Sequence, residues 1–125
     1  MSINKNCSTF NFMFRVPNAQ VGEVEKILAS HEAWMRETHR GPSEPNPLAY
    51  TLTKGEELNN PLDPSEGATG FTLMALTEIY NGQEGCQAHL DGVDGWKDFL
   101  DMLEKVVPHQ VGIMMFGEVI GSMDD

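Results

Sequence analysis

The sequence predicts an α+β fold built in the order β-α-β-β-α-β. Three observations carry that expectation: four segments with a two-residue apolar period or a continuous apolar run, two apolar stripes at helical spacing, and proline or glycine at the joints between them. This order is the split βαβ arrangement, whose strands form one four-stranded antiparallel sheet.

Thr9 to Val16 alternates, with Phe10, Phe12, Phe14 and Val16 on one face and Thr9, Asn11, Met13 and Arg15 on the other. Pro17 ends the strand because it has no N–H to donate, and Asn18 is a candidate cap for the helix after it. From Ala19 to about His39, Val21, Val24, Ile27, Leu28, His31, Trp34 and Met35 make one stripe, with Glu23, Glu25, Lys26, Glu32 and Arg36 on the wet side. Gly41-Pro42 stops that helix, and the proline-rich stretch to Pro47 reads as an irregular connection.

Leu48 to Lys54 alternates again and predicts the second strand. Gly55 to Gly70 has no apolar period and reads as a long loop. Phe71 to Tyr80 predicts the third strand, apolar on both faces. A short helix is expected from Gln83 to Leu90, and Asp94 can cap the next one, in which Trp96, Phe99, Leu100, Leu103, Val106 and Val107 repeat at helical spacing before Pro108. Val111 to Ile120 predicts the last strand, with Val111, Ile113, Met115 and Val119 opposed to Met114, Phe116 and Ile120. Residues 9–121 therefore read as one domain, with a flexible start (1–8) and a short tail (122–125).

Two helices cover only one face of such a sheet. The other face, apolar in the third and fourth strands, would be a large exposed patch on a monomer. A two-fold homodimer with the sheets packed against each other is the expected solution. The alternative is a semi-exposed surface around Met114 and Phe116.

Composition bounds the function. With 40% hydrophobic, 8% aromatic and 22% charged residues, the chain can bury a core, and its length is that of one domain. A formal net charge of −11 disfavours phosphate backbones and anionic membrane surfaces, so no nucleic-acid or membrane partner is expected. No apolar run is long enough for a transmembrane helix, and the polar start lacks the apolar stretch of a signal peptide. The expected compartment is the cytoplasm. Two cysteines, Cys7 and Cys86, make no disulfide framework, and the Asn6-Cys7-Ser8 sequon carries no weight without an export signal. P-loop, dinucleotide, nucleophile-elbow and CxxC motifs are all missing.

Leu76-Thr77-Glu78-Ile79-Tyr80-Asn81-Gly82-Gln83-Glu84-Gly85-Cys86-Gln87-Ala88-His89-Leu90 joins a strand ending in Glu-x-aromatic to an acidic segment and a helix ending in Ala-His. With the first strand and its proline, the long first helix and the final apolar strand, this pattern resembles the antibiotic biosynthesis monooxygenase-like group over about Phe10 to Ile120. The resemblance implies a ferredoxin-like fold, a dimeric α+β barrel with a pocket between sheet and helices in each subunit. It also implies a small-molecule enzyme, cofactor-independent where it is a monooxygenase, acting on a quinol-like aromatic or a small carbonyl compound. The haem-degrading branch of the group carries an Asn–Trp–His trio. Ile79 stands at the Trp position here and no His falls in Trp96 to Val107, so haem degradation is not expected. The first connection and the Gly55–Gly70 loop look longer than the group's usual turns.

His89 is the leading catalytic candidate, because imidazole titrates near neutral pH and a helix-end His can face the cavity as a base. The alternative is a His that binds backbone carbonyls at the helix end. Glu78 and Tyr80 share a strand face and could orient or deprotonate a phenolic substrate, although an ion pair of Glu78 with Arg15 or Lys54 is the preferred reading. Arg15 is that partner or an anion anchor. Tyr50, Trp34 and Trp96 are expected to shape the pocket, and His31 to complete the helix stripe or line the pocket beside Trp34 and Met35. His31 and His39 lie eight residues apart on one helix, about 12 Å along its axis, too far for one ion to bridge. His109 is expected at the surface. Neither metal nor cofactor is expected. A reading of another class stays open beside the enzyme: a non-catalytic dimeric barrel that binds a ligand or serves in stress response, its interior plugged by Trp34, Phe99 and methionines. The eight Met and six Phe are core filler in either case.

Overall fold

The computed structural model describes residues 2–41 and 45–124. The strands are β1 (Ser8–Pro17), β2 (Ala49–Leu58), β3 (Ala68–Tyr80) and β4 (Gln110–Glu118). The helices are α1 (Val21–Thr38), α2 (Gln83–Gly92) and a single turn α3 (Phe99–Asp101) that widens into a π-type segment, Met102–Val106. The sheet is open and wholly antiparallel in the order β2-β3-β1-β4, compatible with a ferredoxin-like fold. Of the proline-rich connection, Pro42 lies outside the described residues.

β1 and β3 occupy the centre because they carry the apolar rows. Phe10, Phe14 and Val16 from β1 and Met74 and Leu76 from β3 are buried beneath Val24, Ile27, Leu28 and Met35 of α1 and Trp96, Met102 and Val106. A second cluster, Phe10, Tyr80 and Cys86, joins α2 to the same face.

Four local expectations are corrected. Asn18 does not cap α1: it sits in a 3₁₀ turn, Asn18–Gln20, and its Oδ1 accepts from Thr72 Oγ1 at 2.8 Å, tying the turn to β3. Asp94 lies in another 3₁₀ turn, while Asp98 precedes α3 and pairs with Ser30 instead of capping. The supposed loop Gly55–Gly70 is strand at both ends, since β2 runs on to Leu58 and β3 begins at Ala68. Gly55 and Glu56 pair with Leu73 and Thr72, and Leu58 with Ala68, while most of the added residues are exposed, so no apolar period marks them. The true turn is ordered by Asp63, which accepts from the Ser65 N–H, and by Gly67 at φ +83°, a conformation that favours glycine.

The fourth correction concerns parity in β4. Thr9 pairs with Gly117 but Asn11 with Met114, so β4 carries one extra residue there. Phe116 in this bulge has φ +52°. An extra residue reverses the face that each neighbour takes. Phe116 therefore leaves Met114 and packs edge-on against Phe10, 6.0 Å between ring centroids, on the helical side.

Among the described residues, no element packs on the opposite sheet face. Met13 and Met114 there are 45% and 49% exposed, around a shallow hollow lined by Asn11, Ala75 and Thr77. No described helix is long and apolar enough to cross a membrane.

Candidate functional site: a buried carboxylate among histidines

Polar groups are rare in a core, and the few that occur need partners. Glu78 is wholly buried, with no solvent exposure. It lies on the inner face of β3, with Tyr50 of β2 and Phe10 of β1 opposite it in the ladders. Two residues on, Tyr80 shares that face and donates its hydroxyl to Glu78 Oε1 at 2.7 Å. His31 comes from the buried stripe of α1 and places Nε2 3.9 Å from Glu78 Oε2. His89 comes from the last turn of α2, on the same face as Cys86, and places Nδ1 3.6 Å from Glu78 Oε1.

An outer layer holds these groups. Tyr50 Oη lies 2.8 Å from His31 Nδ1, and His39, just past the end of α1, sets its Nε2 2.9 Å from His89 Nδ1. Thr38 decides the tautomers. Its one hydroxyl proton goes to the Trp34 carbonyl at 2.8 Å, so its oxygen accepts the proton of His39 Nδ1 at 2.6 Å. His39 Nε2 then has only a lone pair, and His89 Nδ1–H donates to it. Trp34 packs within 6 Å, centroid to centroid, of the His31, His39 and His89 rings, and Trp96 closes over His31. Trp96 is fixed in turn by its indole N–H, which donates to Ser30 Oγ at 3.0 Å.

Burial keeps the cluster nearly uncharged. Desolvation pushes the Glu78 carboxyl up to about 7, against the smaller opposing effect of the Tyr80 hydrogen bond. Desolvation also holds His31 and His39 down at about 4 and His89 at about 3, the neighbouring imidazoles adding to the depression at His31 and His89. The Tyr50 phenol is raised by burial and by the charges of Glu78 and Glu32. At neutral pH the imidazoles are therefore neutral lone-pair donors, and Glu78 is poised to hold or release a proton. Its second oxygen, Oε2, is buried without a hydrogen-bond partner among the described residues.

The cluster meets solvent along one side. A cleft of about 340 Å³ opens between the end of α1 and the start of β2, and Tyr50 and His39 stand in its wall, with Met35, Arg36, Arg40 and Leu48 among its other lining residues. His89 is not part of the lining; it lies behind His39.

Of the expected site residues, the structure brings His31, Trp34, Tyr50, Glu78, Tyr80, His89 and Trp96 together. Arg15 is elsewhere. It lies on the uncovered face of the sheet, gripping Glu57 through Nε and Nη2 (2.8 to 3.0 Å) with its guanidinium 3.6 Å from the Phe71 ring centroid. Lys54 pairs with Glu25. The expected ion pair of Glu78 with Arg15 or Lys54 is thus replaced by contacts with neutral imidazoles and a phenol. His39 is the member that sequence reasoning misses. Its distance from His31 along a helix axis excludes that pair from sharing an ion, but does not bear on a set drawn from several elements. No family model, curated protein or solved structure matches this chain.

Proposed function

We propose that this chain is a small-molecule enzyme of the antibiotic biosynthesis monooxygenase-like kind. It takes a quinol-like aromatic or small carbonyl compound in the cleft between α1 and β2 and withdraws a proton from it. The observation that carries this reading is a buried carboxylate reached from the cleft by two hydrogen-bonding arms, Tyr50–His31 and His39–His89. A proton received at Tyr50 moves inward as Tyr50 gives its own to His31 Nδ1 and His31 Nε2 releases one to Glu78 Oε2. On the other arm His89 Nδ1, the one nitrogen that faces both neighbours, gives its proton to Glu78 Oε1. It is refilled by the proton that His39 Nε2 takes from the cleft, and Glu78 stores what it receives. His89 is then an inner relay group, and His39 takes the outer position expected of His89. In the monooxygenase form of the reading, the deprotonated substrate gives an electron to dioxygen and the two radicals combine. The resulting hydroperoxide loses water, so that a CH₂ group and O₂ become C=O and H₂O. The protein supplies the proton acceptor and a dry wall for that sequence.

A thermal-shift screen with quinols and small carbonyl metabolites, followed by turnover assays on the hits, tests this. Turnover should fall at least 100-fold in His39→Ala and in Tyr50→Phe while ligand binding changes little. Unchanged turnover in both variants sinks the relay. A second reading, a non-catalytic binding protein, draws support from Trp34 and Trp96, which fill the space between α1 and the sheet. It predicts ligands that raise the melting temperature and are never consumed.

The same reading includes a homodimer closed over the uncovered sheet face, forming the α+β barrel. The half-exposed Met13 and Met114 on that face support it. Sedimentation at micromolar concentration should give twice the 13.9 kDa chain mass, and Met114→Lys should give the single chain. A single chain in the unsubstituted protein removes the barrel.

A further inference from the structure

The geometry points to a binding site for a divalent first-row transition metal of the zinc or ferrous class, held by His31 Nε2, Glu78 and His89 Nδ1. The site stands on its own donors, whether or not the chain is an enzyme.

One donor atom from each of His31, Glu78 and His89 lies within 4.8 Å of the others, and all three residues are buried. An ion with bonds of about 2.0–2.2 Å needs its ligands roughly 3–4 Å apart, so the set has only to draw in by about an ångström.

The second observation is the orphan oxygen. A buried carboxylate oxygen without a donor costs free energy, yet Glu78 Oε2 has none and faces His31 Nε2. A cation between them would satisfy it. Proteins also brace metal ligands from behind, each imidazole and carboxylate held by an outer partner. Here Tyr50 backs His31 and Tyr80 backs Glu78, so the outer layer of such a site is already in place.

The donor set decides the class of ion. Two imidazoles with one carboxylate suit zinc, ferrous iron, cobalt or nickel, whereas magnesium and calcium require mostly oxygen ligands. On binding, His89 moves its proton from Nδ1 to Nε2. That exchange with solvent frees the Nδ1 lone pair, His31 holds its one proton on Nδ1 toward Tyr50, and any proton on Glu78 leaves to bulk water. The ion then occupies the lone pairs that a proton relay would use, so relay and ion exclude each other in any one chain.

The test uses the full chain stripped with a chelator and titrated with cobalt(II), followed by visible absorption. One equivalent per chain should bind with ligand-field bands of a low-symmetry nitrogen and oxygen site. Zinc should displace it, and a large excess of magnesium should not. Glu78→Gln should weaken cobalt at least 100-fold, and Tyr80→Phe, which leaves every ligand in place, about 10-fold. Circular dichroism confirms that each variant is folded. Absence of the bands, or Glu78→Gln binding cobalt as tightly as the unsubstituted chain, overturns the site and assigns any bound metal to surface carboxylates. Cobalt binding by a chain that turns over nothing even when stripped of metal removes the enzymatic reading alone, and turnover by a chain that binds no cobalt removes the metal site alone.

Discussion

Glu78→Gln is expected to make the metal-free chain more stable at pH 8, by about 2 kcal/mol, while abolishing turnover. The carboxyl of Glu78 ionises at about 7 in the folded chain against an ordinary 4.5. A raised carboxyl favours folding below its unfolded value, and that advantage is lost as pH climbs from 4.5 through 7. At pH 8 the folded chain holds a buried carboxylate that would rather be in water. The difference between the two states corresponds to about 3 kcal/mol. Glutamine has nearly the same shape, carries no charge and can still accept the Tyr80 hydroxyl. Its amide N–H groups lack good acceptors near His31, which returns about 1 kcal/mol of the gain. The advantage should shrink to a few tenths of a kcal/mol or less by pH 5, where Glu78 is protonated in the folded chain and only partly ionised in the unfolded one. Urea midpoints at pH 5 and pH 8 measure the difference. Equal midpoints for the two chains at pH 8 would mean that Glu78 is not a strained acid, and its role as a proton store would go with it. A substitution that stabilises the fold and removes activity is the signature of a group kept for chemistry.

The part of this arrangement readable from sequence is local. The inward row Phe10, Phe12, Phe14 and Val16, the stripe from Val21 to Met35 and the shared face of Glu78 and Tyr80 come from periods of 2 and 3.6 residues, and the structure keeps them. Each feature that the periods miss has a physical reason. Gly55–Leu58 and Ala68–Gly70 are largely exposed and held by ladder pairing and the Thr69–Glu57 hydrogen bond, so their side chains carry no burial pattern. Phe116 changes face because a bulge breaks the parity that the alternation assumes. Arg15 finds Glu57, which belongs to the strand extension that was invisible as a strand. Glu78 shows the limit most clearly. Its environment is assembled from β2, β3, α1, α2 and the residue just past α1, so no spacing within one element announces it. The sequence offers only its separate parts: the shared face of Glu78 and Tyr80, His89 at a helix end, and His31 on the helix stripe beside Trp34.

Acid should unfold this protein unusually early, with a midpoint between about pH 4 and 6. His31, His39 and His89 are held neutral in the folded chain, at about 4, 4 and 3, while in the unfolded chain they ionise near 6.5. For a base whose folded value is depressed, the stability is whole above the unfolded value. It is lost as pH falls from 6.5 toward 4. His31 and His39 can each withdraw at most roughly 3 kcal/mol and His89 roughly 5, so the three together reach the whole stability of a domain, about 5–15 kcal/mol. Glu78 opposes them, because its folded form already holds one proton near pH 5.5. The net uptake on unfolding there is about two protons, giving a slope of roughly 2–3 kcal/mol per pH unit. Above pH 7 the imidazole and carboxyl contributions nearly cancel and the curve should flatten. Urea midpoints taken at half-unit steps from pH 4.5 to 8 measure this profile directly. His39→Leu should reduce the slope by about one proton, since it removes one of the three titrating imidazoles. A profile already flat between pH 5 and 7 would show that water reaches the imidazoles in the folded chain. The dry cluster on which both the relay and the metal site depend would then not exist.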